Sequence, residues 1–507
     1  MRLTHPRTIS LIVLSLLLIV IGLPLLIVVW IITLAPRPTV DYTPALKQHL
    51  ADARPSEAHD AWPDLLEAII LVDRARVIAA GGPDPGHEAA SFFDPAEPDM
   101  VRYGAGRPGR AIDFSALMPG YDQASGDDLK RVTRQTSDAY AWLEIHTPPD
   151  LIARLANAQW AASSDYDVAP ESNIAEILLP HLGHSRHTVE WLSVRMIRAI
   201  ERGDLMAAAE HHEAILGIAR IMANQPVVIA RLVAVAMERT PILDLRLLMM
   251  DQTLPAETLD FIIERLGRAL EMPPLKHNLG AERLFAADAI QRTWTRGGPG
   301  GGMYIPSTYG IEGLATHRPR LRQRLANLQG VLAPSRNEME AIVESLWSSV
   351  DALPSMTYAD VDAVRNIRTE FDNALAAAAP NLSSIDTFIF EPDVYPNIVE
   401  PLLVEQDTAV IRRGVVIMAQ IEKHRRRTGH PPQTLADMAL PPHSIDEVWL
   451  YRRIAPERDE LSRPYVIYLA GDDGTNDGGV HGRAYSPRRT PKGTDWVLNW
   501  YQLMEDP

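Results

Sequence analysis

The longest apolar run lies near the start of the chain. From Ile9 to Leu34, ISLIVLSLLLIVIGLPLLIVVWIITL, no side chain is ionisable. As a helix the run would reach about 39 Å, against a hydrocarbon core of roughly 30 Å. It is long enough to cross a bilayer with some tilt and a kink at Pro24. A cleaved signal peptide carries a shorter apolar region, about 7–15 residues, before a small-residue site. The pattern predicts an uncleaved anchor over 9–34. Arg2, Arg7 and the amino terminus precede it, and the basic residues that follow, Arg37 and Lys47, are diluted by Asp41. The positive-inside rule then leaves residues 1–8 in the cytoplasm and exports the rest, as in a bacterial inner-membrane protein with a periplasmic body.

Beyond the anchor the patterning changes twice. Residues 35–126 are rich in proline and glycine and read as a linker, with one embedded helix over Ala61–Ala79 where Leu65, Leu66, Ile69, Ile70 and Val72 crowd one side. From 127 to 400 the apolar spacing is helical. Trp191, Val194, Ile197 and Ile200 mark one helix, and Ala208, Ile215, Ile218 and Ala219 the next. Gly203 between them suits a left-handed stop and Asp204 a helix cap, which predicts a helical hairpin. An apolar helix follows from Val227 through Pro241 to Met250. Further helices are expected near 279–295, 317–332, 335–352 and 358–379, and the glycine tract 297–302 reads as a flexible loop.

The last hundred residues differ again. A helix over 406–427 ends at Gly429-His430-Pro431-Pro432, and two β-rich runs, Val448–Ile454 and Tyr465–Leu469, are spaced to close a hairpin. Residues 401–507 hold 14 basic and 15 acidic side chains, whereas the whole chain of 507 residues holds 49 and 65, a net charge of −16. Nearly all the excess negative charge lies upstream, which sets a domain boundary near 400. The expected fold is mainly α, an irregular helical body with a hairpin and a small C-terminal α+β module. So acidic a chain lacks the basic footprint of a dedicated nucleic-acid binder. With no cysteine, it also lacks disulfides, thiolate chemistry and cysteine metal sites.

The strings AQIEKHRRRTGHPPQTLADM, WLYRR and YVIYLAGDDGTNDGG resemble the C-terminal module of uncharacterised single-pass bacterial envelope proteins, a module similar to the globular part of type II secretion pseudopilins. Glu201-Arg202-Gly203-Asp204-Leu205 and Gly280-Ala281-Glu282-Arg283 resemble the same group. The resemblance implies a helix, a turn, a short antiparallel sheet and an Asp/Gly-rich loop. It implies Ca2+ on that loop, most directly at Asp473 and Asp477. Two departures from pseudopilins weigh against assembly into a pilus: no Gly-Phe processing site precedes Ile9, and Pro441-Pro442-His443-Ser444 replaces the usual strand lead-in.

Asp472, Asp473, Asn476 and Asp477, with Asp495, form the best chemical signal. Calcium takes six to eight oxygens from carboxylates and carbonyls on a backbone that turns sharply, and alternating Asp and Gly supplies both. The plain alternative is a solvated turn, because Asp, Asn and Gly dominate turns anyway. His181, His184, His187, His211 and His212 invite a second metal reading. In an antiparallel hairpin turning at Gly203, however, 187 lies about 12 Å along the helix from the level of 211, and no HExxH motif is present. Surface or capping roles are expected for these histidines. No nucleophile elbow, S-x-x-K pair or phosphate loop occurs. The leading expectation is a membrane-anchored, non-catalytic scaffold with a calcium loop and no nucleic-acid partner. The alternatives are a tethered metal-dependent hydrolase using His184, His187 and Glu282, and an accessory component of protein secretion.

Overall fold

The computed structural model describes residues 40–55, 58–82, 114–117, 127–161, 180–271, 279–302, 304, 333–353, 360–378, 398–438, 449–454, 463–471, 473–482 and 490–500. The anchor 9–34, the expected helix 317–332, Pro441–Ser444 and Asp472 lie outside them. Among the described residues no helix is long and apolar enough to cross a membrane. They form twelve α-helices and one three-stranded sheet: α1 Thr43–Asp52, α2 Trp62–Ala79, α3 Asp127–His146, α4 Leu151–Ala156, α5 Pro180–Glu201, α6 Leu205–Ala223, α7 Val228–Asp251, α8 Ala256–Glu271, α9 Gly280–Thr293, α10 Arg336–Asp351, α11 Val361–Ala378, α12 Val399–Thr428, β1 Trp449–Arg453, β2 Tyr465–Leu469 and β3 Trp496–Val497.

The hairpin of α5 and α6 turns as its sequence requires. Gly203 sits at φ +76°, and the Asp204 carboxylate accepts the N–H of Ala207. Arg202-Gly203-Asp204 is thus a helix stop followed by a cap. Helix α7 continues through Pro241, as expected. Among its described residues the proline-rich region holds two α-helices where one was expected. Pro44 stands at the start of α1, a position that tolerates its missing N–H, and Leu46 and Leu50 join the core.

The glycine tract corrects a second expectation. It is no free loop: Gly298, Gly300, Gly301 and Gly302 all have positive φ, and a Cβ on the last three would strike Ser335, Asn337 and the Thr295 carbonyl. The tract wraps the start of α10, where Ser335 and Glu338 close a reciprocal capping box. Trp294 is buried beside it and donates its indole N–H to the Pro334 carbonyl at 2.9 Å.

Two large hydrophobic clusters result, with a third, small one of Val466, Tyr468 and Val497 on the outer face of the sheet. The smaller of the two large ones joins Ile290 and Trp294 to α10, α11 and the first turn of α12 through Ile398 and Leu402. The larger runs from α1 through α8, takes in Ile411, Val415 and Met418 of α12, and reaches Trp449, Ile467, Trp496 and Leu498 of the sheet. Helix α12 is the shared spine. It carries Gly414 where the ring of Trp449 leaves no room for a Cβ. The sheet has the order β1-β2-β3, antiparallel throughout, with Trp449 opposite Leu469 and Leu469 opposite Trp496. Alternation sends Ile467 and Leu469 towards α12, and Val466 and Tyr468 to the outer face.

Candidate metal centre

The Asp/Gly loop folds back over that outer face. Gly478 and Gly479 have φ near +75° and +82°, and the space beside Gly479 is bounded by Val466 and Tyr468. Tyr468 donates its hydroxyl to Asn476 Oδ1 at 3.1 Å, and the same oxygen accepts the Gly478 N–H at 3.0 Å. Asp473 accepts the N–H groups of Thr475 at 2.9 Å and Gly493 at 3.1 Å; these bonds hold its carboxyl below the usual range. Asn476 and Asp473 therefore act as clamps, one onto the sheet and one onto the segment that leads into β3.

Asp477 and Asp495 differ. Asp495 is fully buried; its Oδ2 accepts the Gly479 N–H at 2.6 Å and its Oδ1 has no hydrogen-bond partner. Asp477 Oδ2 is also shielded from solvent without a partner. Desolvation, and then the charges of Asp495 and Asp473, push the Asp477 carboxyl up. The loop thus brings together two carboxylates, each with an oxygen that no group among the described residues satisfies. Oxygen donors on a glycine-rich backbone suit a hard cation such as Ca2+. Among the described residues no three His, Asp or Glu side chains form a metal-ligand set; Asp472, the other acidic residue expected there, lies outside them.

The histidines sit otherwise than expected. His181, His211 and His212 are buried. Burial, reinforced by nearby arginines, pushes His211 down to about 4 and His212 down to about 3. Their spacing already contained the signal: 211 and 212 stand three and four residues after Ala208 and before Ile215, on the apolar stripe. His184, His187 and Glu282 are each tied to a different group. His184 Nδ1 lies 2.9 Å from Asp73 Oδ2, and His187 Nδ1 lies 3.0 Å from Glu190 Oε2. Glu282 accepts the Val228 N–H at 2.7 Å, capping α7, with its carboxyl pushed up to about 7 by burial.

No family model, curated protein or solved structure matches the chain. Its functional reading rests on its own residues.

Proposed function

We propose that the chain is a single-pass membrane protein whose exported helical body and C-terminal sheet form a non-catalytic binding scaffold, with Ca2+ held on the loop between β2 and β3. The carrying observation is the pair of shielded, unpartnered oxygens on Asp477 and Asp495. Desolvation and then the Asp495 and Asp473 charges raise the cost of ionising Asp477, and a divalent cation between Asp477 and Asp495 would remove that cost while supplying the missing partner. The ion would pin the loop against Tyr468 and β3; its role is structural. The anchor reading rests on the uncharged run 9–34.

The test is calorimetric Ca2+ titration of the full-length protein in detergent, beside Asp477→Asn and Asp495→Asn. The expected result is one Ca2+ per chain, lost in both variants while their helical circular dichroism is unchanged. Asp477 is only partly buried, so its variant separates ligand loss from misfolding. Absence of both binding heat and thermal stabilisation by Ca2+ would make the loop an ordinary turn and overturn the metal part of the proposal. Turnover by the purified protein, abolished by a point substitution, would overturn the scaffold part.

A further inference from the structure

Val40 is clamped to α9 through its backbone. The buried Gln291 side chain accepts the Val40 N–H at 3.2 Å and donates to the Val40 carbonyl at 2.9 Å. The same amide donates to Asp288 Oδ1 at 2.6 Å, and Asp288 pairs with Arg292, so the clamp is itself braced. Helix α1 then docks firmly. Leu46 and Leu50 are buried, the Leu50 carbonyl accepts the Trp160 indole N–H at 3.0 Å, and the His49 ring lies where a Cβ on Gly280 would stand. Tyr42 feels the charges of Asp288 on α9 and of Arg336 and Glu340 on α10. The chain therefore enters the body at one fixed point, beside the end of α9, the glycine tract and the start of α10.

Six residue steps separate Val40 from Leu34, where the uncharged run ends. Fully extended they reach about 21 Å, and the headgroup layer takes about 5–7 Å of that. Helix α12 is 30 residues long, and its first turn packs with Ile290 and Trp294; Arg427 lies about 38 Å further along it. So short a tether holds one end of the body to the bilayer, and the clamp selects which end. That end suits an anionic surface. In a chain of net charge −16, its acidic groups are met by neighbours: Asp288 by Arg292, Glu340 by Arg336, and Asp41 and Glu338 by the helix starts that they cap. Arg296 stands exposed beside the glycine tract and presents a cation to headgroups.

We propose that this end of the body, formed by the starts of α1 and α10, the end of α9 and the glycine tract, docks on the anionic headgroup surface of the bilayer that holds residues 9–34, with Arg296 as a contact. The docking rests on the anchor reading. It gives the exported body a fixed orientation, with the far end of α12 turned away from the membrane.

The chain has no cysteine, so single labels report position cleanly. The full-length protein is placed in nanodiscs of phosphatidylcholine with or without phosphatidylglycerol. It carries a fluorophore at Ile21→Cys, Asn337→Cys or Arg427→Cys, quenched by nitroxides on lipid headgroups or acyl chains. The expected pattern is acyl-chain quenching at 21, headgroup quenching at 337 and none at 427. Quenching at 337 should strengthen with phosphatidylglycerol and fall in Arg296→Glu. It should also fall in Gln291→Ala, which releases Val40, with circular dichroism checking that the helices persist. Arg296 is exposed, so its variant reads the contact without disturbing the core. Given quenching at 21, equal headgroup quenching at 337 and 427 overturns the docking while the anchor stands. So does quenching at 337 that is indifferent to both phosphatidylglycerol and Arg296→Glu. A label at 337 shielded from aqueous iodide yet beyond the headgroup quencher means that a second copy covers the face, and overturns the docking too. Absence of acyl-chain quenching at 21 overturns the anchor itself and the docking with it.

Discussion

At the scale of single residues, the chain buries some ionisable groups without an ionic partner and favours their neutral form. Glu282 and His212 illustrate opposite consequences. The Glu282 carboxyl is raised to about 7 from an ordinary value near 4.5. Its folded state binds the proton more tightly than the unfolded state, so its contribution is fully present below about pH 4.5 and is lost as pH rises through 7. Glu282→Gln keeps an acceptor for the Val228 N–H. It should raise the urea midpoint at pH 8, with the difference from wild type closing below pH 5. His212, lowered to about 3 from 6.5, contributes stability that is present above pH 6.5 and lost as pH falls towards 3. His212→Gln should flatten the acid limb by up to about 1.4 kcal/mol per pH unit. Equal midpoint-against-pH curves for variant and wild type would refute either assignment.

The scale of elements is decided by which helix faces which. Arg231 of α7 pairs with Glu405 of α12 at 2.5 Å, and Glu238 of α7 accepts from Arg412 at 3.2 Å. Both pairs join residues 174 apart in sequence, and they lie one heptad apart on each helix, so α7 and α12 run parallel in a single register. Arg231 is 5% exposed, and a buried ion with its partner removed costs about 3–5 kcal/mol. Arg231→Glu alone should lower stability by about that much. The double change Arg231→Glu with Glu405→Arg should recover much of it, measured as a double-mutant cycle in denaturant. Additive losses would mean that the pair does not set the register. Gly217 fixes another crossing: a Cβ there would enter the Leu155 carbonyl. Gly217→Ala should therefore cost about 1–3 kcal/mol through forced separation of α4 and α6, read as a fall in Tm.

For the whole molecule, the long helix α12 ties the parts together. Its first turn belongs to the smaller cluster, and its middle belongs to the larger one with the sheet. The C-terminal sheet therefore shares a core with α6, α7 and α8. Residues 401–507 made alone would expose Ile411, Val415 and Met418, and should show no cooperative unfolding transition by circular dichroism, whereas the full chain should. A sharp, two-state transition of the isolated segment would show that the sheet and α12 suffice by themselves. Removing Ca2+ with a chelator should lower the Tm of the full chain, an effect absent in Asp477→Asn.

Much of this architecture was written in local pattern. The helices 62–79, 280–293, 336–351 and 361–378, the hairpin at Gly203 and both long strands follow from apolar spacing, caps and turn residues, because those signals act over a few residues along the chain. The Asp/Gly loop was legible for the same reason. What local pattern did not contain was the company each polar residue keeps. Whether His212 is a surface group or a core one, whether Gly300 to Gly302 are slack or tightly wrapped, and which carboxylates end without a partner depend on chain segments far apart in sequence. Asp477 and Asp495, separated by 18 positions, meet only when β2 pairs with β3, and Ser193 and Asp244, separated by 51, only when their helices pack. Burial likewise sets the charge state of Glu282 and His212, since the cost of ionisation depends on the dielectric and the neighbours that tertiary structure alone assembles.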